Sequence, residues 1–321
     1  MTVLAHQTEA AVRVPRATAE VLPPQLTTTV PREYVHRASL AEVFLTGCRQ
    51  VDGTRFALTG QWPRAHTFFT SRDGLSHDPL QAAETIRQVG LFLAHSEFGV
   101  PLNYQFLLHD MEYSTHPDHL LIKNQPSHLD LEADCTDLVW KGEYLAHFAM
   151  HVAIRRGGEL AAEGSGHFTC VAPATYRRLR GEQRTAATPS PVRPTPLAPH
   201  LVDRMLSRDV VLAEADSPGR WLLSTDARHP VLFDHVGDHV PGMVLIEAAR
   251  QAAFALLAPR AFAPAGATTV FRQYVEYDTS CWIDAEQLPC ADEGTARVAV
   301  TGWQGEKQAF STELFGQLAK A

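Results

Sequence analysis

The stretch 239-HVPGMVLIEAARQAAFALLA-258 decides how this chain is read. A proline suits the first turn of a helix, where its missing N–H would have no partner anyway. From Met243 onward the residues are strong helix formers and apolar on nearly every side, which predicts a helix wrapped by other structure, not one laid on a wet surface. Three polar residues interrupt it: Glu247, Arg250 and Gln251. Their i, i+3, i+4 spacing places all three on one face.

A second stretch, 77-HDPLQAAETIRQVG-90, carries the same message, with His-x-Pro running into Glu84, Arg87 and Gln88. The two triplets are 163 residues apart. Glu112-Tyr113 recurs as Glu276-Tyr277, and Arg55-Phe56 recurs as Arg220-Trp221, at separations of 164 and 165. Three marks in nearly one register read as a tandem duplication.

At 321 residues the chain has room for two domains of ordinary size. Its 45% hydrophobic and 20% charged composition is that of a globular protein. A net charge of −8 argues against a general nucleic-acid binder. Five cysteines without a CxxC pair read as reduced thiols in a cytoplasmic protein. The N-terminus shows no basic start followed by an apolar run, so no signal peptide is expected. The most apolar window, 243–258, is short and interrupted by charge, so no membrane span is expected either.

Residues 1–29, rich in Ala, Thr and Pro, read as an N-terminal arm. Residues 181–200, GEQRTAATPSPVRPTPLAPH, read as an extended proline-rich linker. Repeat one then covers 30–180 and repeat two 201–321. Each has one strong helix, at about 79–96 and 241–258. RFALTGQW, HLLIKNQ, YLAHFAMHVAIRR and GSGHFTCVA read as extended in the first repeat. TTVFRQYVEYDT, RVAVTGWQ and KQAFSTELF do so in the second. One long helix with several antiparallel strands, twice, is an α+β pattern.

The helix triplets admit two readings. An ion pair among apolar neighbours costs several kcal/mol in desolvation unless well compensated, so it can be a buried structural tie between the helices. It can also be functional. A carboxylate in a partly dehydrated cleft has a raised pKa and acts as a general base. Arginine clamps phosphate or carboxylate, or stabilises an oxyanion. Glutamine adds a donor, and the amides of Gly242 and Met243 at a helix N-terminus favour negative charge. His235 and His239, in DHVGDHVPGM, can assist proton transfer or bind substrate; their loop spacing is weak evidence for zinc, and no metal or cofactor is expected. Arg272 can line the site from a strand, or simply face solvent.

PGMVLIEAARQ resembles the central-helix start of hotdog-fold enzymes acting on acyl thioesters, such as the β-hydroxyacyl carrier protein dehydratases. Those have Pro-Gly followed after four residues by an acid, as Pro241-Gly242 and Glu247 are placed. Position 233, where the dehydratase histidine would fall, is Phe. VPREYVHRASLAEVFLTG, SHDPLQAAETIRQVG, DHVGDHVPGMVLIEAARQAAF and WQGEKQAFST together resemble the A-factor synthase family, makers of γ-butyrolactone, butenolide and furan autoregulators. The resemblance covers about 30–321. It implies a double hotdog and an acyltransferase that moves a β-ketoacyl chain from acyl carrier protein to the hydroxyl of dihydroxyacetone phosphate. The family's important Glu and Arg residues fall on Glu84, Glu247 and Arg250. Arg87 is their repeat-one companion, and repeat two, with its Pro-Gly start, is favoured for the oxyanion. A hotdog thioesterase or dehydratase, and a non-catalytic lactone- or acyl-binding protein, are the competing readings. Association into a homodimer stays open.

Overall fold

The computed structural model describes residues 27–183, 193–235 and 237–318. The expected N-terminal arm up to residue 26, and residues 184–192 of the expected linker, lie outside the described residues.

The first repeat runs β1 (Leu45–Asp52), β2 (Arg55–Trp62), α1 (Pro79–Ser96), β3 (Gln105–Thr115), α2 (Pro117–Leu120), β4 (Ser127–Lys141), β5 (Tyr144–Arg156), β6 (Glu159–Val171) and α3 (Pro173–Arg180). The second runs β7 (Leu212–Glu214), β8 (Arg220–Leu223), α4 (Gly242–Leu257), β9 (Phe262–Phe271), β10 (Cys281–Leu288), β11 (Thr295–Gln304) and β12 (Lys307–Leu318). All twelve strands form one antiparallel sheet, ordered β1-β2-β4-β5-β6-β3-β9-β12-β11-β10-β8-β7. Each half has the same internal order, and β3 pairs with β9 at the join. This is the expected α+β double hotdog.

Both long helices lie in the concavity of their own half. In α1, Leu80, Ala82, Ala83, Ile86, Val89 and Leu93 are fully buried, and so are Val244, Ile246, Ala248, Ala249, Ala252 and Ala253 in α4. Each large aliphatic side chain buried this way contributes about 1.5–3 kcal/mol. A Cβ on Gly90 would fall 2.6 Å from the Phe168 ring, so the absence of a side chain there lets α1 lie flat on β6.

The duplication holds, but two of its three sequence marks do not. Strand registers settle the equivalences, because each half has a bulge where β5 meets β6 and β11 meets β12. Arg155 faces Leu160 there, as Trp303 faces Gln308. Carried along the ladders, Tyr113 faces Gly164 where Thr269 faces Thr312, so Thr269 is the counterpart of Tyr113. Tyr277 lies beyond the end of β9. In the same way Trp221 matches Leu58, not Phe56. Strand and loop lengths changed after duplication, and the two dipeptide matches are coincidental. The helix triplets are the mark that survives.

Two strand expectations also shift. HLLIKNQ is not a strand; it enters α2 and an irregular segment, and the strand is Ser127–Lys141. Its alternating burial from Ser127 to Cys135 is visible in HLDLEADC. β9 stops at Phe271, so Arg272 and Tyr274 are not strand residues. No helix among the described residues is long and apolar enough to cross a membrane.

Candidate active site

The helix starts differ in the one place that matters. Asp78 is the N-cap of α1, and its side chain accepts from the Leu80 amide. Pro241 is the N-cap of α4, with Gly242 the first helical residue and no side-chain cap. Counted back from Glu84 and Glu247, Asp78 and Pro241 are equivalent. Among the described residues the α4 start therefore leaves the Gly242 and Met243 amides without a side-chain partner, the usual condition for anion binding.

Around Glu84 the repeat-one cluster is dense. Arg37 Nε donates to Glu84 Oε1 at 3.0 Å, Arg87 Nε to Oε2 at 2.9 Å, and Arg87 Nη2 to Oε1 at 2.8 Å. Gln88 donates to Glu84 Oε1 and to the Glu42 carbonyl at 2.7 Å each, and accepts from the Phe44 amide. Glu84 is completely buried. Burial alone would raise its carboxyl pKa, but Arg37 and Arg87 outweigh that and hold it at about 2. The expected raised-pKa base is not what Glu84 is.

The repeat-two cluster copies this. Arg204 holds both oxygens of Glu247, at 2.7 and 2.6 Å, and Arg250 Nε lies 3.2 Å from Glu247 Oε2. Gln251 donates to Glu247 and to the Asp209 carbonyl and accepts from the Val211 amide. Both glutamines, expected to bind substrate, instead pin the entry loop to the helix with two hydrogen bonds each and brace the helix glutamate with a third.

Arg37 and Arg204 were absent from the residues singled out in the sequence. They had a signal there: Val35-His36-Arg37 with Glu42-Val43 and Leu45 recurs as Val202-Asp203-Arg204 with Asp209-Val210 and Leu212. Each arginine also crosses to the other repeat. Arg37 donates to the Val231 carbonyl at 2.9 Å, and Arg204 to the Phe68 carbonyl at 2.8 Å. The glutamates thus tie the helix to its own entry loop, and the loop arginine ties the repeats together. Each cluster lies against the loop that leads into the other repeat's helix.

The copies differ in what faces them. In repeat two, Asp78 Oδ2 lies 3.2 Å from Arg204 Nη1 and 3.5 Å from Arg250 Nη2, and Asp203 stands 4.0 Å from Arg250 Nη1. The Arg250 side chain is 3% exposed. In repeat one the positions of Asp78 and Asp203 are taken by Pro241 and His36, and the Arg87 side chain is 17% exposed. Arg87 Nη1 makes no hydrogen bond with the described residues. His235 is an exposed residue near Arg87 and Arg37; the protein around its ring and those two cations hold its pKa below the ordinary value. Burial raises that of Asp203.

His239 and Arg272 do not join either cluster. His239 pairs with Asp238 at 2.7 Å and packs on Tyr274, in a network where Arg180 bridges Asp238 and Glu276. Arg272 is exposed, beyond the end of β9. Asp234 accepts from the Ala38 and Ser39 amides, and among the described residues no group of three His, Cys, Asp or Glu could hold a metal ion. A cleft of about 550 Å³ opens beside Val240, Val275 and Tyr277, and none of the cluster residues lines it.

The A-factor biosynthesis hotdog domain is matched twice, over residues 18–172 and 185–304. This chain belongs to that family. It is 49% identical over 286 residues to the 2-oxo-3-(phosphooxy)propyl 3-oxoalkanoate synthase of Streptomyces virginiae, covering 89% of this chain and 97% of that one. It is 39% identical over 304 residues to the enzyme of the same name from Streptomyces griseus, covering 94% and 99%. Among solved structures it resembles a putative oleoyl thioesterase from Lactobacillus plantarum, with TM-score 0.52, 8% identity and 84% and 99% of the two chains covered. A 12:0-ACP thioesterase from Umbellularia californica gives TM-score 0.50, 11% identity and coverage of 84% and 100%. At such identities these two show the hotdog fold alone.

Proposed function

We propose that this member of the A-factor biosynthesis hotdog family is an acyltransferase that joins a β-ketoacyl chain, delivered as a thioester on acyl carrier protein, to the hydroxyl of dihydroxyacetone phosphate. The name shared by the Streptomyces relatives describes that ester. The observation that carries the placement is the asymmetry of the two clusters. Arg87 is partly open and belongs to the cluster set against the loop that leads into the uncapped start of α4, while Arg250 is covered by Asp78.

In this reading the open edge of the Arg87 guanidinium takes the phosphate, and Glu84 holds the guanidinium in plane with paired charge-assisted bonds. The Gly242 and Met243 amides receive the thioester carbonyl oxygen as it becomes an oxyanion, with the partial positive charge of the α4 start behind them. His235 borders the same space. Gln88 and Gln251 stay structural. The repeats divide at the proline-rich stretch after α3, and the protein works in the cytoplasm on a carrier-bound substrate, alone or as a homodimer.

One observation favours a second reading of the placement. Among the described residues Arg250 Nε and Nη1 are buried without hydrogen-bond partners, which favours the repeat-two cluster, with Glu247, as the one that takes the phosphate. The two are separated by the KM for dihydroxyacetone phosphate in Arg87→Met and Arg250→Met: a rise confined to the first supports the repeat-one site, and one confined to the second moves the chemistry to repeat two. Mass spectrometry with β-ketoacyl carrier protein tests the reaction itself. Ester formed only when dihydroxyacetone phosphate is present is the expected result; free acid released at the same rate without it would make the protein a thioesterase.

A further inference from the structure

His36 belongs to the open cluster but takes no part in holding the phosphate or the oxyanion. It stands directly before Arg37, and its φ of 51° and ψ of 54° put it in the left-handed region, where non-glycine residues are uncommon. Its counterpart Asp203 holds the same conformation, at φ 55° and ψ 43°. Both residues close a short 3-10 turn, Arg32–Val35 and Pro199–Val202, so the same turn fixes where the two side chains start, beside the arginine that grips the buried glutamate.

Where it goes is defined by a second histidine. His36 Nε2 lies 2.9 Å from His95 Nε2, and His95 Nδ1 lies 2.7 Å from the carbonyl oxygen of Val100. A carbonyl only accepts, so His95 Nδ1 carries a proton. The neutral His95 ring then has a bare Nε2, which can only accept, so His36 Nε2 is the donor. That leaves His36 Nδ1 with a free lone pair and no partner among the described residues. The pair is packed between Tyr34 and Phe106, and His36 is partly open to solvent. Arg87 Nη2 donates to the carbonyl of Val35, the residue before His36, and the Arg87 charge acts on the His36 ring.

We propose that His36 is the general base of the transfer, with His95 as the positioning residue that fixes its tautomer. This rests on the acyltransferase reading above and names the proton acceptor it lacked once Glu84 proved fully engaged. His36 Nδ1 takes the proton from the attacking hydroxyl as the hydroxyl oxygen bonds to the thioester carbon, and the carbonyl π pair moves onto oxygen. When the tetrahedral adduct collapses, the C–S bond breaks, and the proton on Nδ1 passes to the departing thiolate of the carrier. Ester and free thiol are the products, and His36 returns to its starting form. Burial, then His95, Arg87 and His235, keep the free imidazole neutral, its pKa depressed to about 3. Glu84 is already matched by Arg37 and Arg87, and Asp234 is bound to backbone amides. A phosphate dianion arriving at Arg87 adds the negative charge that raises the ring's basicity only when substrate is bound.

The test uses the full chain with a β-ketoacyl carrier protein and dihydroxyacetone phosphate. The wild type must first form the ester; if it does not, the acyltransferase reading fails before this one is reached. Given transfer, His36→Asn, chosen because Asn tolerates the left-handed conformation, is expected to lose 10²–10⁴-fold in kcat with KM changed only a few-fold. Free imidazole added to His36→Gly is expected to restore part of the rate. His95→Phe, which removes the tautomer lock, is expected to lower kcat about tenfold at unchanged KM. A folded His36→Asn, judged by an unchanged thermal midpoint, that turns over within threefold of wild type overturns the proposal. So does a defect in His36→Gly that imidazole leaves untouched.

Discussion

Asp78 of the first repeat holds Arg204 of the second, its Oδ2 lying 3.2 Å from the guanidinium Nη1 across the junction of the two hotdogs. The same carboxylate caps α1 through its other oxygen. Its counterpart is Pro241, which can do neither, so one residue makes the two halves unequal.

The two jobs of Asp78 separate by substitution. Asp78→Asn keeps a good N-cap but removes the charge that faces Arg204 and Arg250, and is expected to cost about 1–3 kcal/mol. Asp78→Ala loses the cap as well, about 1 kcal/mol more. Urea unfolding of both variants gives the two figures; equal midpoints for the asparagine variant and wild type would mean that the cross-repeat pair contributes nothing.

Stability falls with acid in two windows. His77 is buried between Gln81 and Ser127, and burial lowers its pKa from 6.5 to about 4. The unfolded chain therefore binds a proton that the folded one refuses, and stability present above pH 6.5 is lost as pH falls towards 4. Glu84 acts lower: Arg37 and Arg87 hold its folded carboxyl well below the free value of 4.5, so the stability it contributes is lost as pH falls below that value. Unfolding free energy measured against pH is expected to show both slopes. Glu84→Gln should be less stable at neutral pH and flatter below 4.5, and a variant with the wild-type acid slope would contradict the assignment.

Gly242 is placed for close approach, not for flexibility. A Cβ there would lie 3.3 Å from the Phe271 ring, a contact that needs a small shift of the ring. Gly242→Ala is expected to change stability by less than about 1 kcal/mol. It should nevertheless lower the transfer rate, because the methyl stands beside the amides that receive the oxyanion. Undiminished turnover would remove this helix start from the site.

Arg37 and Arg204 link the repeats, and each leaves a buried glutamate half-paired when removed. Arg37→Met and Arg204→Met are expected to cost about 3–5 kcal/mol each. The loss should show as a lower thermal midpoint, and a change below 1 kcal/mol would show that water replaces the guanidinium without penalty.

The helices, their polar triplets and an α+β pattern were legible in the chain alone, the duplication from the recurrence of the triplets, and the hotdog architecture from motifs that resemble a known family. The helices and triplets are written in short-range periodicity: three side chains within one turn and a half share a face whatever surrounds them. β2 and β5 were legible to the residue, and β4 could have been from its alternation. Matches of two residues between repeats were not reliable, because the ladders that define equivalence depend on bulges and loop lengths spread over the whole sheet.

The unequal clusters were decided only in three dimensions. Nothing within a few residues of Glu84 or Glu247 shows that each carboxylate is already held by a loop arginine more than forty residues upstream. Nor does it show that an aspartate 126 residues before Arg204 in the chain covers one cluster while a proline leaves the other open. Sequence determines which groups are ionisable and which face of a helix they share. Their protonation and their access to substrate depend on the partners and solvent that distant segments bring to them, and folding alone sets those distances.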